Sequence, residues 1–216
     1  MQIWLDTADI GEIREASRLG VVSGITTNPS LAAKSGHSDL RTAIQEICSI
    51  IDGPVSAEVM GQGPYEMIEE GREIATWAPN VVVKIPVSEA GIEAISVLSK
   101  EGIAINQTLT FSVNQALLGA LAGATYISPF VGRLDDVGQD GMLLVSEMLQ
   151  MFKVHEMHTK VIAASLRHPK HVIEAAKAGA QIATIPYKLF KQMFKHPLTD
   201  AGLKRFIEDW QSLVRV

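Results

Sequence analysis

A single cysteine, Cys48, occurs in 216 residues, which excludes an intrachain disulfide and fits a reducing compartment. Long hydrophobic runs are missing too. The most apolar stretch, Ala116 to Ala124, is interrupted by Gly119 and Gly123 and falls far short of the roughly 20 residues that span a bilayer. Met1-Gln2-Ile3-Trp4 has no basic segment followed by an apolar one, and Asp6 interrupts it early, so no signal peptide is read. Positive charge is not in excess: 19 Lys and Arg stand against 24 Asp and Glu, for a net charge of −5 and a pI of about 5.7. That balance suits neither nucleic acid nor another polyanion. These absences predict a soluble cytoplasmic protein with no membrane or nucleic-acid partner.

Linkers rich in Pro, Gly or Ser are absent, as is low complexity, so nothing divides the chain. No GxGxxG or GxxxxGK[ST] phosphate loop follows the first strand, and Gly61-Gln62-Gly63 is only a flexible turn. What is present is ample core material, 47% hydrophobic against 20% charged, arranged in a strand-then-helix rhythm. Strands are expected at about 3–8, 24–28, 55–59, 81–86, 104–109, 126–131, 161–165 and 182–186. The punctuation between them is specific. Asp9 with Glu12 resembles a capping box, Pro29 can open a helix, and a longer helical pattern then runs through Leu40, Ile44, Ile47 and Cys48. Ser88 and Ser112 precede further helices; Gly20, Gly102, Gly123 and Gly179 close others. Cys48 falls on an apolar face and reads as a core residue.

About eight such units predict one (β/α)8 TIM barrel domain over residues 1–216, with an extra amphipathic helix at about 199–215. A doubly wound open sheet is the structural alternative. In a barrel of this kind chemistry gathers at the C-terminal ends of strands. Asp6 ends strand one, Thr26 and Asn28 strand two, Glu58 strand three and Lys84 strand four. Asn106 and Thr108 end strand five, Ser128 and Phe130 strand six, and Ser165 strand seven, with Arg167 just beyond. Alternation along a strand puts Trp4 with Asp6, Thr26 with Asn28, Ser56 with Glu58, and Val82 with Lys84 on shared faces.

Val81-Val82-Val83-Lys84-Ile85-Pro86 is the informative strand, because its one ionisable side chain is flanked by β-branched residues. Taking an ammonium out of water disfavours the charged form, and a free amine attacks carbonyls. The plainer alternative is a lysine snorkelling to solvent over its own stem. Carboxylates at Asp6 and Glu58 could move the protons that Schiff-base chemistry requires. Arg133, Ser165 and Arg167 would suit a phosphate. Each also has a plainer use: Asp6 and Asn28 can cap helices, Thr108 can satisfy backbone, and Arg133 can pair with Asp135 or Asp136. The pairs His155/His158 and His168/His171 make no HExxH motif and read as solvated helix termini rather than a metal site.

Five stretches carry a family resemblance: Leu5-Asp6-Thr7-Ala8, Gly24-Ile25-Thr26-Thr27-Asn28-Pro29-Ser30, Val82-Val83-Lys84-Ile85-Pro86, Asn106-Gln107-Thr108-Leu109-Thr110 and Ala163-Ala164-Ser165. With them the chain resembles the transaldolase family, in its short branch shared with the fructose-6-phosphate aldolases. The resemblance implies that Lys84 forms the Schiff base, that Asp6 handles the hydroxyl proton, and that Glu58 and Thr108 hold a proton-shuttling water. It implies that Thr26, Asn28 and Ser128 bind the dihydroxyacetone portion, that Asn106 and Phe130 also bind substrate, and that Arg133, Ser165 and Arg167 take the phosphate. It implies sugar-phosphate substrates, no metal or organic cofactor, and a homo-oligomer of five or ten chains. Glu58 and Phe130 stand where the aldolases have glutamine and tyrosine. The implied reaction is therefore transfer of a dihydroxyacetone unit from sedoheptulose 7-phosphate to glyceraldehyde 3-phosphate, with aldol release of free dihydroxyacetone as the alternative. A sugar-phosphate-binding barrel without turnover is a further one.

Overall fold

The computed structural model describes residues 1–35 and 39–214. Eight parallel strands close into a barrel in chain order, β8 pairing back onto β1. They are β1 (Gln2–Asp6), β2 (Val22–Thr26), β3 (Val55–Glu58), β4 (Val81–Pro86), β5 (Ile105–Thr110), β6 (Tyr126–Pro129), β7 (Lys160–Ala163) and β8 (Ile182–Ile185). Around them lie α1 (Ile10–Ser17), α2 (Pro29–Lys34), α3 (Leu40–Ile50), α4 (Pro64–Ala75), α5 (Glu89–Lys100) and α6 (Val113–Ala122). Then follow α7 (Val131–Asp136), α8 (Gly141–Val154), α9 (Pro169–Ala178), α10 (Tyr187–Gln192) and α11 (Pro197–Val214). The expected (β/α)8 TIM barrel with an added C-terminal helix is therefore the observed fold.

Local chemistry explains most boundaries. Asp9 accepts from the Glu12 amide at 3.0 Å, but Glu12 does not complete a capping box; its carboxylate takes the Thr7 hydroxyl at 2.6 Å. Helix α6 starts at the Ser112 side chain and stops at Gly123, whose φ of +99° is the left-handed conformation that glycine adopts freely. The segment after Pro29 comes as two helices, because Asp39 caps α3 afresh through the amides of Arg41 and Thr42. Strand six was expected to reach Val131. It ends at Pro129, yet the Phe130, Val131 and Gly132 amides still bond to Thr110, Ala164 and Ser165 carbonyls, so the chain keeps ladder contacts while already turning into α7.

Alternation along the strands makes two apolar layers. Outward residues such as Leu5, Ile25, Val83, Ile85, Ile105 and Ile127 pack under the helices. Inward residues Trp4, Val82, Tyr126, Ile162 and Ile182 plug the barrel interior, with Trp4 and Tyr126 meeting edge to face at 5.3 Å between centroids. Gly24 leaves room for that plug, since a Cβ there would lie 2.6 Å from the Trp4 indole. Gly24→Ala should consequently destabilise the barrel by about 1–3 kcal/mol, as overpacking against a rigid buried ring does. Urea unfolding checks this; an unchanged midpoint would show that the ring can yield.

Two expectations change, one about a residue and one about a helix. Cys48 packs only partly against the core at the edge of α3, while Ile44 and Ile47 are fully buried. Desolvation still pushes its thiol up to about 11, so it is no thiolate nucleophile. Helix α11 opens at Pro197, two residues before the expected start, because proline suits the first helical turn; residue 215 lies outside the described residues. Its Leu203, Phe206, Ile207 and Trp210 are all exposed. Among the described residues no helix is long and apolar enough to cross a membrane.

Candidate active site

Directly above the apolar plug, toward the C-terminal strand ends, the inward positions turn polar. Strand register sets Asp6 beside Thr26, Glu58 beside Lys84, and Lys84 beside Asn106. Lys84 is 4% exposed, so it does not snorkel to the surface. Its Nζ lies 2.9 Å from Glu58 Oε2 and donates to the Thr27 carbonyl at 2.9 Å. Across this layer Ser128 donates to Asn106 Oδ1 at 2.8 Å, and Asn106 Nδ2 donates to Ser56 at 3.1 Å. Each amide atom of Asn106 is thereby held, which fixes its orientation.

A cavity of about 110 Å³ opens over this layer. Asp6, Thr26, Asn28 and Lys84 line one side. Ser128, Phe130, Arg133 and Ser165 line the other, with Ala164 and Thr184 between. Burial raises the Asp6 carboxyl pKa. Lys84 and the Thr26 hydroxyl pull it back down, and Glu58 adds to the rise. Asp6 does not cap α1, whereas Asn28 both caps α2 through the Leu31 amide at 3.0 Å and lines the cavity. Ser165 holds a φ of +59°, a left-handed conformation costly for serine.

The expected phosphate residues divide. Arg133 faces the cavity, with its guanidinium 4.9 Å over the Phe130 ring. Arg167 does not line it; its side chain is exposed and pairs with Asp136 at 2.7 Å. Gly132 permits this path, since a Cβ there would fall 2.4 Å from Arg167 Nε. His171 is buried rather than solvated: its Nε2 lies 3.2 Å from Asp135, and its Nδ1 accepts the Arg167 amide at 3.3 Å. Burial, then neighbouring His168, lowers its pKa. His155 and His158 are exposed, as expected of helix termini. Thr108 is buried away from the cavity lining, and its hydroxyl finds no partner among the described residues.

Compared with known proteins, residues 3–216 match the family described as Transaldolase/Fructose-6-phosphate aldolase. The chain belongs to that family. It is 58% identical over 214 residues to a probable transaldolase of Dehalococcoides mccartyi, covering 99% of each chain. It is 58% identical to a probable transaldolase of Clostridium botulinum, over 98% of this chain and 97% of that one. A Listeria monocytogenes relative, probable transaldolase 1, is 55% identical over 98% and 99%. The barrel also superposes on a crystal structure of 2,3-dimethylmalate lyase with a TM-score of 0.60, over 98% of this chain and 82% of that one; at 15% identity this concerns the fold alone. Membership makes the protein an enzyme of the aldolase or transferase kind.

Within the transaldolase/fructose-6-phosphate aldolase family member described here, one polar cavity-lining residue went unread in the sequence. Thr184 stands in Ile182-Ala183-Thr184-Ile185, where a β-branched threonine looks like one more strand former. Its phase with inward Ile182 was the available signal. A larger groove of about 750 Å³ lies at the N-terminal ends of β7 and β8, near exposed Lys153, Glu156 and His158. It contains none of the polar strand-end residues.

Proposed function

We propose that this protein is a transaldolase acting through a Schiff base on Lys84. The observation that carries the reading is the buried Lys84 amine, 2.9 Å from a carboxylate, at the floor of a cavity lined by Asp6. To attack, the ammonium first gives up a proton, and Glu58 is within reach to take it. The amine adds to the ketose carbonyl, Glu58 gives the proton back to the carbinolamine hydroxyl, water departs, and an iminium forms. Asp6 then takes the proton of the hydroxyl two carbons away. The carbon–carbon bond breaks, its electron pair flows into the iminium to make an enamine, and the aldose leaves. A buried carboxylate with a raised pKa is the stronger base, which suits this step. The iminium is its own electron sink, so this route needs neither a metal nor an organic cofactor.

The enamine then waits for an acceptor aldehyde. Glu58 can exchange a proton with a water, and the buried, unpartnered Thr108 hydroxyl is suited to orient one. Phe130 offers no phenol to protonate the enamine, which favours transfer over release. The donor is sedoheptulose 7-phosphate and the acceptor glyceraldehyde 3-phosphate, giving erythrose 4-phosphate and fructose 6-phosphate. Thr26, Asn28, Asn106 and Ser128 hold the three-carbon unit. Arg133 and Ser165 receive the phosphate, and Arg167 joins them by exchanging Asp136 for it. We place the enzyme in the cytoplasm as one barrel domain whose α11 docks its exposed Phe206 and Trp210 on a neighbouring subunit of a ring-shaped oligomer.

Borohydride reduction in the presence of fructose 6-phosphate tests the reading. A three-carbon adduct is expected on the peptide bearing Lys84. An unmodified Lys84, or an adduct elsewhere, would sink the proposal. Comparing free dihydroxyacetone with product formed on erythrose 4-phosphate separates transfer from aldol release.

A further inference from the structure

Thr26 makes two short contacts with one proton. Its Oγ1 lies 2.7 Å from Asp6 Oδ1 and 2.6 Å from Thr184 Oγ1. An ionised carboxylate only accepts, and a threonine hydroxyl has one hydrogen to give. Thr26 therefore donates to Asp6, and Thr184 has to donate to Thr26. The chain of donors is fixed: Thr184 to Thr26 to Asp6. Both threonines are nearly fully buried, at 2% and 3% exposure, so solvent does not readily replace either link. Bonds aligned head to tail strengthen one another, most of all when the last acceptor is charged.

We infer that Thr184 is a positioning residue for carbon–carbon cleavage: acting through Thr26, its hydroxyl steadies the ionised Asp6 carboxylate and aims its free oxygen at the substrate. The inference rests on the proposed role of Asp6 in the Schiff-base reaction. When Asp6 takes up the substrate proton on that free oxygen, Oδ1 remains an acceptor, so Thr26 still donates to Asp6 and Thr184 to Thr26. The same three groups thus satisfy each other in both protonation states. Other charges facing Asp6 are Lys84 from β4, which favours the carboxylate, and Glu58 from β3, which opposes it. Thr184 supplies its share from β8 without adding charge to the cavity.

The test uses the full-length protein with Thr184→Val, which replaces a hydroxyl by a methyl of similar size, and Thr184→Ser, which keeps the hydroxyl. The valine variant should still be trapped on Lys84 by borohydride, because imine formation does not pass through this chain. Its kcat for fructose 6-phosphate cleavage should fall roughly tenfold with little change in KM, the effect of one hydrogen bond. The acidic limb of its kcat profile should move to higher pH, since a carboxylate with weaker support protonates earlier. Thr184→Ser should restore both. Native kcat and an unmoved acidic limb in the valine variant would overturn the inference while leaving the Schiff-base reading intact. Failure of native protein to be trapped would overturn both. If the valine variant does not fold, Thr184→Ala, which only removes atoms, is read by the same criteria.

Discussion

A Lys84→Met variant is expected to lose ketose turnover by on the order of 10⁴-fold or more, with no adduct after borohydride treatment. Methionine matches the lysine stem in length and fills the same strand-lined slot, but it carries no nucleophile. The effect on stability separates chemistry from packing. Lys84 is the ion-pair partner of Glu58, and removing one member of a buried pair leaves the other uncompensated. Glu58 keeps 14% of its side chain exposed, so the expected loss is about 3 kcal/mol, the lower part of the usual range. Adding Glu58→Gln to Lys84→Met should recover much of that stability and none of the activity. Chemical denaturation of the two singles and the double measures the coupling. A Lys84→Met protein that retains turnover would remove the amine from the mechanism, and additive losses would remove the pair from the stability argument.

Much of the barrel was legible because its punctuation is unambiguous. Strand β4 runs from Val81 to Pro86 as read, since Pro79-Asn80 and Pro86 bracket a β-branched run. Helix α9 runs from Pro169 to Ala178 as read, opened by its proline and closed by Gly179 in the left-handed region. Helices α7 and α10 went unread: each has six residues and no side-chain cap, too little to show helical periodicity. At the site, alternation along each strand brought Asp6, Thr26 and Lys84 to one cavity, because the barrel turns one phase of every strand inward. Contacts made across the barrel were not legible. Thr184 meets Thr26 only because β8 closes against β1, and Arg167 reaches Asp136 only because Gly132 lacks a side chain. The roles assigned to Thr108 and Glu58 came from the family resemblance, since spacing alone does not tell a proton shuttle from a buried hydroxyl.

Asp6→Asn should separate activity from stability in the opposite sense to the lysine change. Cleavage of fructose 6-phosphate is expected to fall by about 10²–10⁴-fold, the usual cost of losing a positioned general base. Trapping on Lys84 should persist, because the imine precedes the step that needs Asp6. Stability should rise at neutral pH. Asp6 carries a carboxylate where burial and Glu58 both oppose the charge, and its pKa is raised despite the help of Lys84 and Thr26. A carboxyl whose folded pKa lies above its unfolded one binds more protons folded than unfolded as the pH crosses that interval. Its favourable contribution is then complete below the unfolded pKa and is lost as pH rises through the folded value. Asparagine keeps an oxygen for the Thr26 hydroxyl and never ionises. The variant should thus gain on the native protein as pH rises through that window, and the two melting temperatures should converge again on acidification. Taking the difference between the two proteins at each pH cancels every other titrating group that the substitution leaves undisturbed. A variant less stable than native at neutral pH, by a margin that does not change with pH, would mean that Asp6 is held by its contacts and not strained by its charge. The base would then have to be sought elsewhere in the cavity.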